Sequence, residues 1–395
     1  MNAAYPMSHP QERPTIVVTG IGTVTGFGYG LDTLTEGLLA GRSCVRPQEL
    51  FAELDGETSV AGYVADVPRD TPARANHFIR AAVDEAIRAA SLPLPLAELA
   101  VFVASIHGNI DAWWRARATG GPTEPRLWQL GTDIWPTIAD RLNVTTISTG
   151  CTSSAMAIGQ ALDHLRAGLG SIALVAGTEA FTPFLLEGLK ALRVLAKRGC
   201  RPFDAKRDGF VVGEGAAVLV LETLAHAERR GVKPIAEIAG FGTSADGTSF
   251  AAPDSAGRGV SRALEQALSD ARLEVLPDSI NPHGSGTKLN DQVECMAMER
   301  VFGAGARRRI AITSSKPAVG HLCGAAGAIE VICSILGMQH DVVPPILNLD
   351  EPDRHFGNFD FVMGTPRALH QNAVISMNSA LGGTNSAVVI RRMAS

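Results

Sequence analysis

The stretch Thr145-Thr-Ile-Ser-Thr-Gly-Cys-Thr-Ser-Ser-Ala-Met-Ala-Ile158 decides how this chain is read. Its β-branched start, Thr145 to Thr149, has the composition of a buried strand. The small residues after Cys151 lead into a helical pattern through Leu162 and Leu165. A cysteine at a sharp strand-to-helix junction stands where an enzyme places a nucleophile. Backbone N–H groups and the positive end of the helix there favour thiolate over thiol. The layout is analogous to the serine elbow of hydrolases, although the Gly-x-Ser-x-Gly spacing is absent. The same residues also suit an inert core thiol, and this segment alone leaves both readings open.

Outward from Cys151, strand-like and helix-like segments alternate. Thr15-Ile-Val-Val-Thr19 reads as a strand entering a glycine-rich turn, Gly20-Ile-Gly22, with a helix near Leu31 to Ala40. Leu99–Ala104, Ile172–Ala176, Ala217–Leu221 and Ala373–Ser376 read as buried strands. Arg262–Ala271 and Asp291–Phe302 read as helices. This order predicts an α/β protein with helix-covered sheets. A weak internal echo adds to it. Thr15–Gly22 resembles Pro234–Gly242, and Gly150–Ile158 resembles Gly320–Ile329. The polar, proline-bearing residues 1–14 read as a tail, and the echo predicts one half at 15–230 and a second at 231–395, with Cys151 and His321 at equivalent helix starts.

The 395 residues are 46% hydrophobic and 19% charged, with a net charge of −5, so a large core is expected and nothing points to nucleic acid. No apolar run reaches the length of a membrane span, and Met1–Pro14 lacks the apolar core of a secretory signal. Six scattered cysteines without a Cys-x-x-Cys pair fit a reducing, cytoplasmic setting rather than a zinc or disulfide framework.

Two histidines have unusual neighbours. Pro282-His283-Gly284-Ser285-Gly286-Thr287 is a glycine-rich turn followed by Asn290, Asp291 and Glu294. Ser314-Ser-Lys316-Pro-Ala-Val-Gly-His321 places a second histidine at the head of a small-residue helix. Glycine lets backbone approach a ligand closely. A metal site is the alternative for such residues, but no compact His-x-x-x-His or His-x-His spacing is present. Near the C-terminus, Asn378-Ser-Ala-Leu-Gly-Gly-Thr-Asn385 reads as a turn entering a last strand, able to aim an N–H at a developing oxyanion or to serve as a plain hairpin.

Together and in this order, these segments resemble the β-ketoacyl synthases, the condensing enzymes of the thiolase-like superfamily. The resemblance covers nearly the whole chain and includes Arg201-Pro-Phe-Asp-Ala-Lys-Arg-Asp-Gly-Phe-Val-Val-Gly-Glu-Gly-Ala216. Thr149–Ser153 and His283–Asp291 look closer to the ketosynthase subunits of bacterial type II polyketide systems. Gly320–Gly327 and the C-terminal Gly-Gly-Thr-Asn lean toward the fatty-acid type.

The resemblance implies a duplicated, five-layered αβαβα fold. It implies a homodimer, or a heterodimer with a chain-length-factor-like subunit. Cys151 becomes the acyl-accepting nucleophile, and His283 and His321 the pair that promotes decarboxylation of a malonyl thioester. Lys316 and Glu294 match the supporting lysine and glutamate. The N–H groups of Cys151 and Leu381 match the oxyanion hole, and Ser285 and Thr287 match hydroxyls that hold phosphopantetheine. No cofactor or metal is implied, since substrates arrive on the carrier's phosphopantetheine arm. Housekeeping fatty-acid elongation is one alternative. Others are a non-condensing acyltransferase or thioester hydrolase and a non-catalytic chain-length partner. The two histidines and Cys151 speak against these last two.

Two departures stand out. Asn378-Ser-Ala-Leu-Gly-Gly383 lacks the family's phenylalanines and is one residue shorter, which puts gating of the acyl pocket by Leu381 in question. The segment between Ala104 and Cys151 holds all four tryptophans, Trp113, Trp114, Trp128 and Trp135. They are expected either to pack a remodelled subunit interface or to wall a pocket suited to a rigid, unsaturated or aryl-bearing chain. An acidic acyl carrier protein needs a basic landing site. Arg193, Lys197, Arg198, Arg201, Lys206 and Arg207 form the densest cluster.

Overall fold

The computed structural model describes residues 13–48, 60–68, 71–118, 120 and 128–393. Eleven strands form the main path of one sheet. In chain order they are β1 (Ile16–Thr25), β2 (Leu96–Ala104), β3 (Ala139–Ile147), β4 (Ile172–Glu179), β5 (Gly215–Thr223), β6 (Ala236–Ala245), β7 (Ser279–Asn281), β8 (Ala311–Ile312), β9 (Asp360–Phe361), β10 (Ala373–Ser379) and β11 (Thr384–Arg391). Their spatial order is β9-β8-β7-β10-β11-β6-β1-β5-β4-β2-β3. Read outward from β1 and from β6, the two arms have the same pairing. Each has two antiparallel steps, then parallel ones. In the sheet the arms join where β1 pairs with β6, at Val17↔Glu237 and Val18↔Ala236.

Five layers result. Helix α1 (Arg74–Ala89) covers the outer face of the first arm, burying Phe78, Ile79 and Val83 against β1, β2, β4 and β5. Helices α2 (Ser153–Arg166) and α3 (Ala326–Gln339) lie between the arms and share one core with strands of both. Helices α4 (Arg258–Asp270) and α5 (Lys288–Phe302) cover the outer face of the second arm. This is the αβαβα sandwich that the resemblance implied.

The echoed Gly-x-Gly segments have a packing cause. A Cβ at Gly20 or Gly22 would fall on the carbonyl oxygens of Ala86 and Ala82 in α1. A Cβ at Gly240 or Gly242 would fall on backbone of Ala267, Ala271 and Ala263, on or next to α4. Each outer helix lies directly on its strand because glycine leaves room. Gly20–Gly22 therefore continues β1, where the sequence suggested a turn.

The strand before Cys151 also differs from expectation. Among the described residues β3 pairs with β2 alone, and Asp140, Arg141, Asn143, Val144 and Thr146 are exposed. It is a half-open edge and not a buried strand. Its β-branched composition serves a sheet margin.

Candidate active site

Cys151 stands one residue beyond Gly150, whose φ of 68° suits glycine. A web of short bonds holds the turn. The Ser153 hydroxyl donates to the Gly150 carbonyl (2.6 Å) and accepts from the Thr149 N–H (2.9 Å). The Thr152 hydroxyl donates to the Thr149 carbonyl (2.7 Å). Helix α2 follows at once, so the expected strand-to-helix junction is there.

The second half brings its residues to the same point. His321 Nε2 lies 3.0 Å from Cys151 Sγ. The His283 ring meets His321 edge to face at 5.2 Å between centroids, and Phe210 packs edge-on against His321 at 5.0 Å. Both histidines and Lys316 are buried. Lys316 Nζ donates to His283 Nδ1 at 3.1 Å and also meets the His283 carbonyl and Glu330. An ammonium has no lone pair, so Nδ1 of His283 is the acceptor and its ring proton sits on Nε2. That nitrogen is a permanent donor. His321 is different: its Nδ1 has no hydrogen-bond partner among the described residues. Its tautomer is not locked, so Nε2 can take a proton from the cysteine and later present one.

Burial favours the neutral forms of the two histidines and of the Cys151 thiol. Burial holds both histidines well below the ordinary imidazole range, and Lys316 adds to the effect. Burial pushes the Cys151 thiol up to about 12 against the pull of Lys316. This corrects the expectation that the helix N-terminus favours a resting thiolate. The dipole is present, but desolvation outweighs it.

The supporting acid also changes. Lys316 pairs with Glu330, which Asn378 Nδ2 holds from its other oxygen at 2.7 Å. Glu294 instead accepts the N–H groups of His283 (2.6 Å) and Gly284 (2.8 Å) and Asn290 Nδ2 (2.9 Å). It shapes the histidine loop and does not meet the lysine. Burial, reinforced by Asp291, pushes it up to about 8. Asp291, at about 6 through burial, accepts from Gly286 and Phe203. Glu330 left a sequence signal: it is the single acid in an otherwise apolar helix α3.

A cavity of about 490 Å³ opens onto Cys151, His283 and His321. Ser285 and Thr287 line it, their hydroxyls 2.9 Å apart. Leu381 lines it too, on a turn whose Ala380 lies against Gly150. The apolar wall comes from Phe184, Leu185 and Leu189 on helix Pro183–Leu192, together with Phe210. Sequence reading missed this helix, whose Thr182 cap and leucine spacing were the available signals.

Among the described side chains, no tryptophan lines that cavity. Trp135 is buried in the core under α1, with Nε1 donating to the Leu130 carbonyl at 2.8 Å. Trp128 is exposed, and Trp113 lies under the Arg117 guanidinium at 5.7 Å. The side chain of Trp114 lies outside the described residues. The basic cluster divides as well. Arg193, Lys197, Arg198 and Lys206 are exposed. Arg201 pairs with Asp350 and Asp204, while Arg207 is buried between Asp353, the Lys288 carbonyl and the Phe356 ring. Arg207 is structural and leaves the candidate docking set.

Residues 142–227 match the family model described as "Beta-ketoacyl synthase, N-terminal domain", and residues 235–350 match the corresponding C-terminal domain. The chain is 32% identical over 404 residues to Nodulation protein E of Rhizobium meliloti (strain 1021), covering 96% of this chain and 99% of the relative. It is 30% identical over 410 residues to 3-oxoacyl-[acyl-carrier-protein] synthase 2 of Vibrio harveyi, again covering 96% and 99%. Among solved structures it is similar to the ishigamide ketosynthase/chain length factor, with a TM-score of 0.89, 31% identity and coverage of 97% of this chain and 100% of that one.

Proposed function

The chain belongs to the β-ketoacyl synthase family, and from that premise we propose that it condenses acyl chains with Cys151 as the acyl carrier and His283 and His321 as the decarboxylation pair. It is an acyltransferase of the condensing type. One observation carries the residue assignment: the sulfur of Cys151, the unlocked Nε2 of His321 and the donor-locked His283 converge on one cavity.

In the first step the sulfur attacks the carbonyl of an acyl thioester. The Cys151 proton passes to His321 Nε2 and on to the departing carrier thiol as its C–S bond breaks. In the second, a malonyl thioester loses carbon dioxide. The electron pair of the broken C–C bond becomes an enolate whose oxygen accepts from His283 Nε2–H and from His321. Such donors are worth about 3 kcal/mol each in comparable sites. The enolate carbon then attacks the acyl-Cys151 carbonyl, with the N–H groups of Cys151 and Leu381 holding the tetrahedral oxygen. Collapse breaks the C–S bond and releases the Cys151 sulfur as a thiolate, which takes a proton from solvent by way of His321 to restore the resting thiol. Lys316 fixes His283 and supplies positive charge, with Glu330 as its counter-ion. Ser285 and Thr287 hold the phosphopantetheine arm.

The partner is an acyl carrier protein, and its landing site is the exposed set Arg193, Lys197, Arg198 and Lys206. Charge reversal at Lys197 and Arg198 should raise KM for the carrier-bound substrate alone. An equal KM would remove the assignment. The pathway is of the type II polyketide or specialised fatty-acid or polyene kind. The chain folds as halves 15–230 and 231–395, and a second synthase-fold subunit, a copy or a chain-length-factor-like partner, covers β3. Among the described residues, no helix is long and apolar enough to cross a membrane.

The test is intact-protein mass after incubation with an acyl-carrier thioester, followed by malonyl-carrier and product mass. Acylation that survives Cys151→Ala would sink the reading. Decarboxylation undiminished in His283→Ala would sink the role of the pair.

A further inference from the structure

Among the described residues, the cavity wall that runs along helix Pro183–Leu192 is apolar except at one ring. His107 stands on the loop after β2 and meets Phe184 edge to face, with centroids 5.7 Å apart and planes at 72°. Its Nδ1 lies 3.2 Å from Oε1 of Glu179. That carboxylate is buried and also accepts the N–H groups of Ile106 (2.8 Å), His107 (3.1 Å) and Gly324 (3.0 Å) and the Ser105 hydroxyl (3.2 Å). Everything that meets Glu179 is a donor, so the ring proton of His107 sits on Nδ1. In the neutral ring Nε2 is then a bare lone pair, and it has no hydrogen-bond partner among the described residues. Glu179 thus binds the His107 loop to Gly324, three residues beyond His321, and fixes where this lone pair stands relative to the reacting groups.

A saturated chain laid along the wall strips water from Nε2 and offers nothing back. Burying an unpaired acceptor costs roughly tenfold or more in binding. A hydroxyl in the chain donates to that lone pair and removes the cost. A keto oxygen cannot donate. We propose that His107 is a specificity-determining residue that selects acyl chains carrying a hydroxyl where they pass it, over saturated chains of equal length. The inference rests on the cavity being the acyl site of the synthase proposed above.

The experiment measures the rate of Cys151 acylation, by intact-protein mass, with pantetheine thioesters of octanoate and of octanoate hydroxylated at carbon 3, 5 or 7. The whole chain and its His107→Leu and His107→Gln variants are compared, each checked for folding by circular dichroism. In the unaltered protein one hydroxyl position should react about tenfold faster than octanoate. His107→Leu should level the series, and His107→Gln, whose amide oxygen still accepts, should keep part of the preference. Equal rates across the series in the unaltered protein overturn the proposal, as does a hydroxyl preference that survives in His107→Leu. Acylation without preference removes only this inference, whereas no acylation by any thioester in folded protein removes the proposed function with it.

Discussion

At Cys151 two effects on one thiol oppose each other, and their sizes decide the outcome. A helix N-terminus stabilises an adjacent anion by about 0.3–2 kcal/mol. Burial moves the thiol from 9.0 to about 12, a larger change in the other direction. The resting protein therefore holds a thiol, and in the proposed mechanism His321 takes its proton at the moment of attack. Alkylation of Cys151 by iodoacetamide should rise about tenfold per pH unit between pH 7 and 9, because the thiolate fraction grows throughout that range. A plateau near neutral pH, measured by peptide mass spectrometry, would show a depressed thiol instead. Lys316 and Glu330 form the other decisive pair. Breaking a buried ion pair from one side costs about 3–5 kcal/mol. Glu330→Gln should destabilise the fold by that order in chemical denaturation and slow malonyl decarboxylation, whereas Glu294→Gln should leave the Lys316 pair intact and act through the His283 loop.

Among elements, the glycine pairs in β1 and β6 set how closely the outer helices approach. Gly22→Val should lower unfolding free energy by about 1–3 kcal/mol or more, since its branched side chain would press on the Ala82 carbonyl. Loss of less than half a kcal/mol in a denaturant titration would mean that α1 moves aside cheaply. Most elements were legible from periodicity: the apolar runs at 99–104, 172–176 and 217–221 are strands, and 291–302 lies within a helix. The echo was legible because both copies must solve the same helix-on-strand contact. Other features depended on three-dimensional return of the chain. Glu330 meets Lys316 because a turn and a short helical segment carry α3 back beside it; standing alone as the acid of its helix marked it as unusual but did not name the lysine as its partner. The tryptophans show the same limit: composition announced aromatic bulk, but only packing shows Trp135 in the core and Phe184 at the cavity. Thr145–Thr149 had strand chemistry, and its exposure follows from β3 standing last in the order.

At the scale of the whole molecule, β3 leaves one row of backbone groups without a neighbouring strand among the described residues, with Val144 42% exposed along it. Natural edges of this length are covered or defended. Val144→Lys should weaken association with a second subunit, seen as a lower molar mass in multi-angle light scattering at micromolar protein. A mass equal to that of the unaltered protein would place the interface elsewhere. The reacting centre itself is stitched across the two arms. The sulfur enters from the first, and both imidazoles, the ammonium and its counter-ion enter from the second. Turnover in such a molecule works as an alignment gauge: a slip of one arm along the other, too small to melt a helix, already separates sulfur from imidazole, so rate is the first property to be lost and the most sensitive report that the two arms are seated.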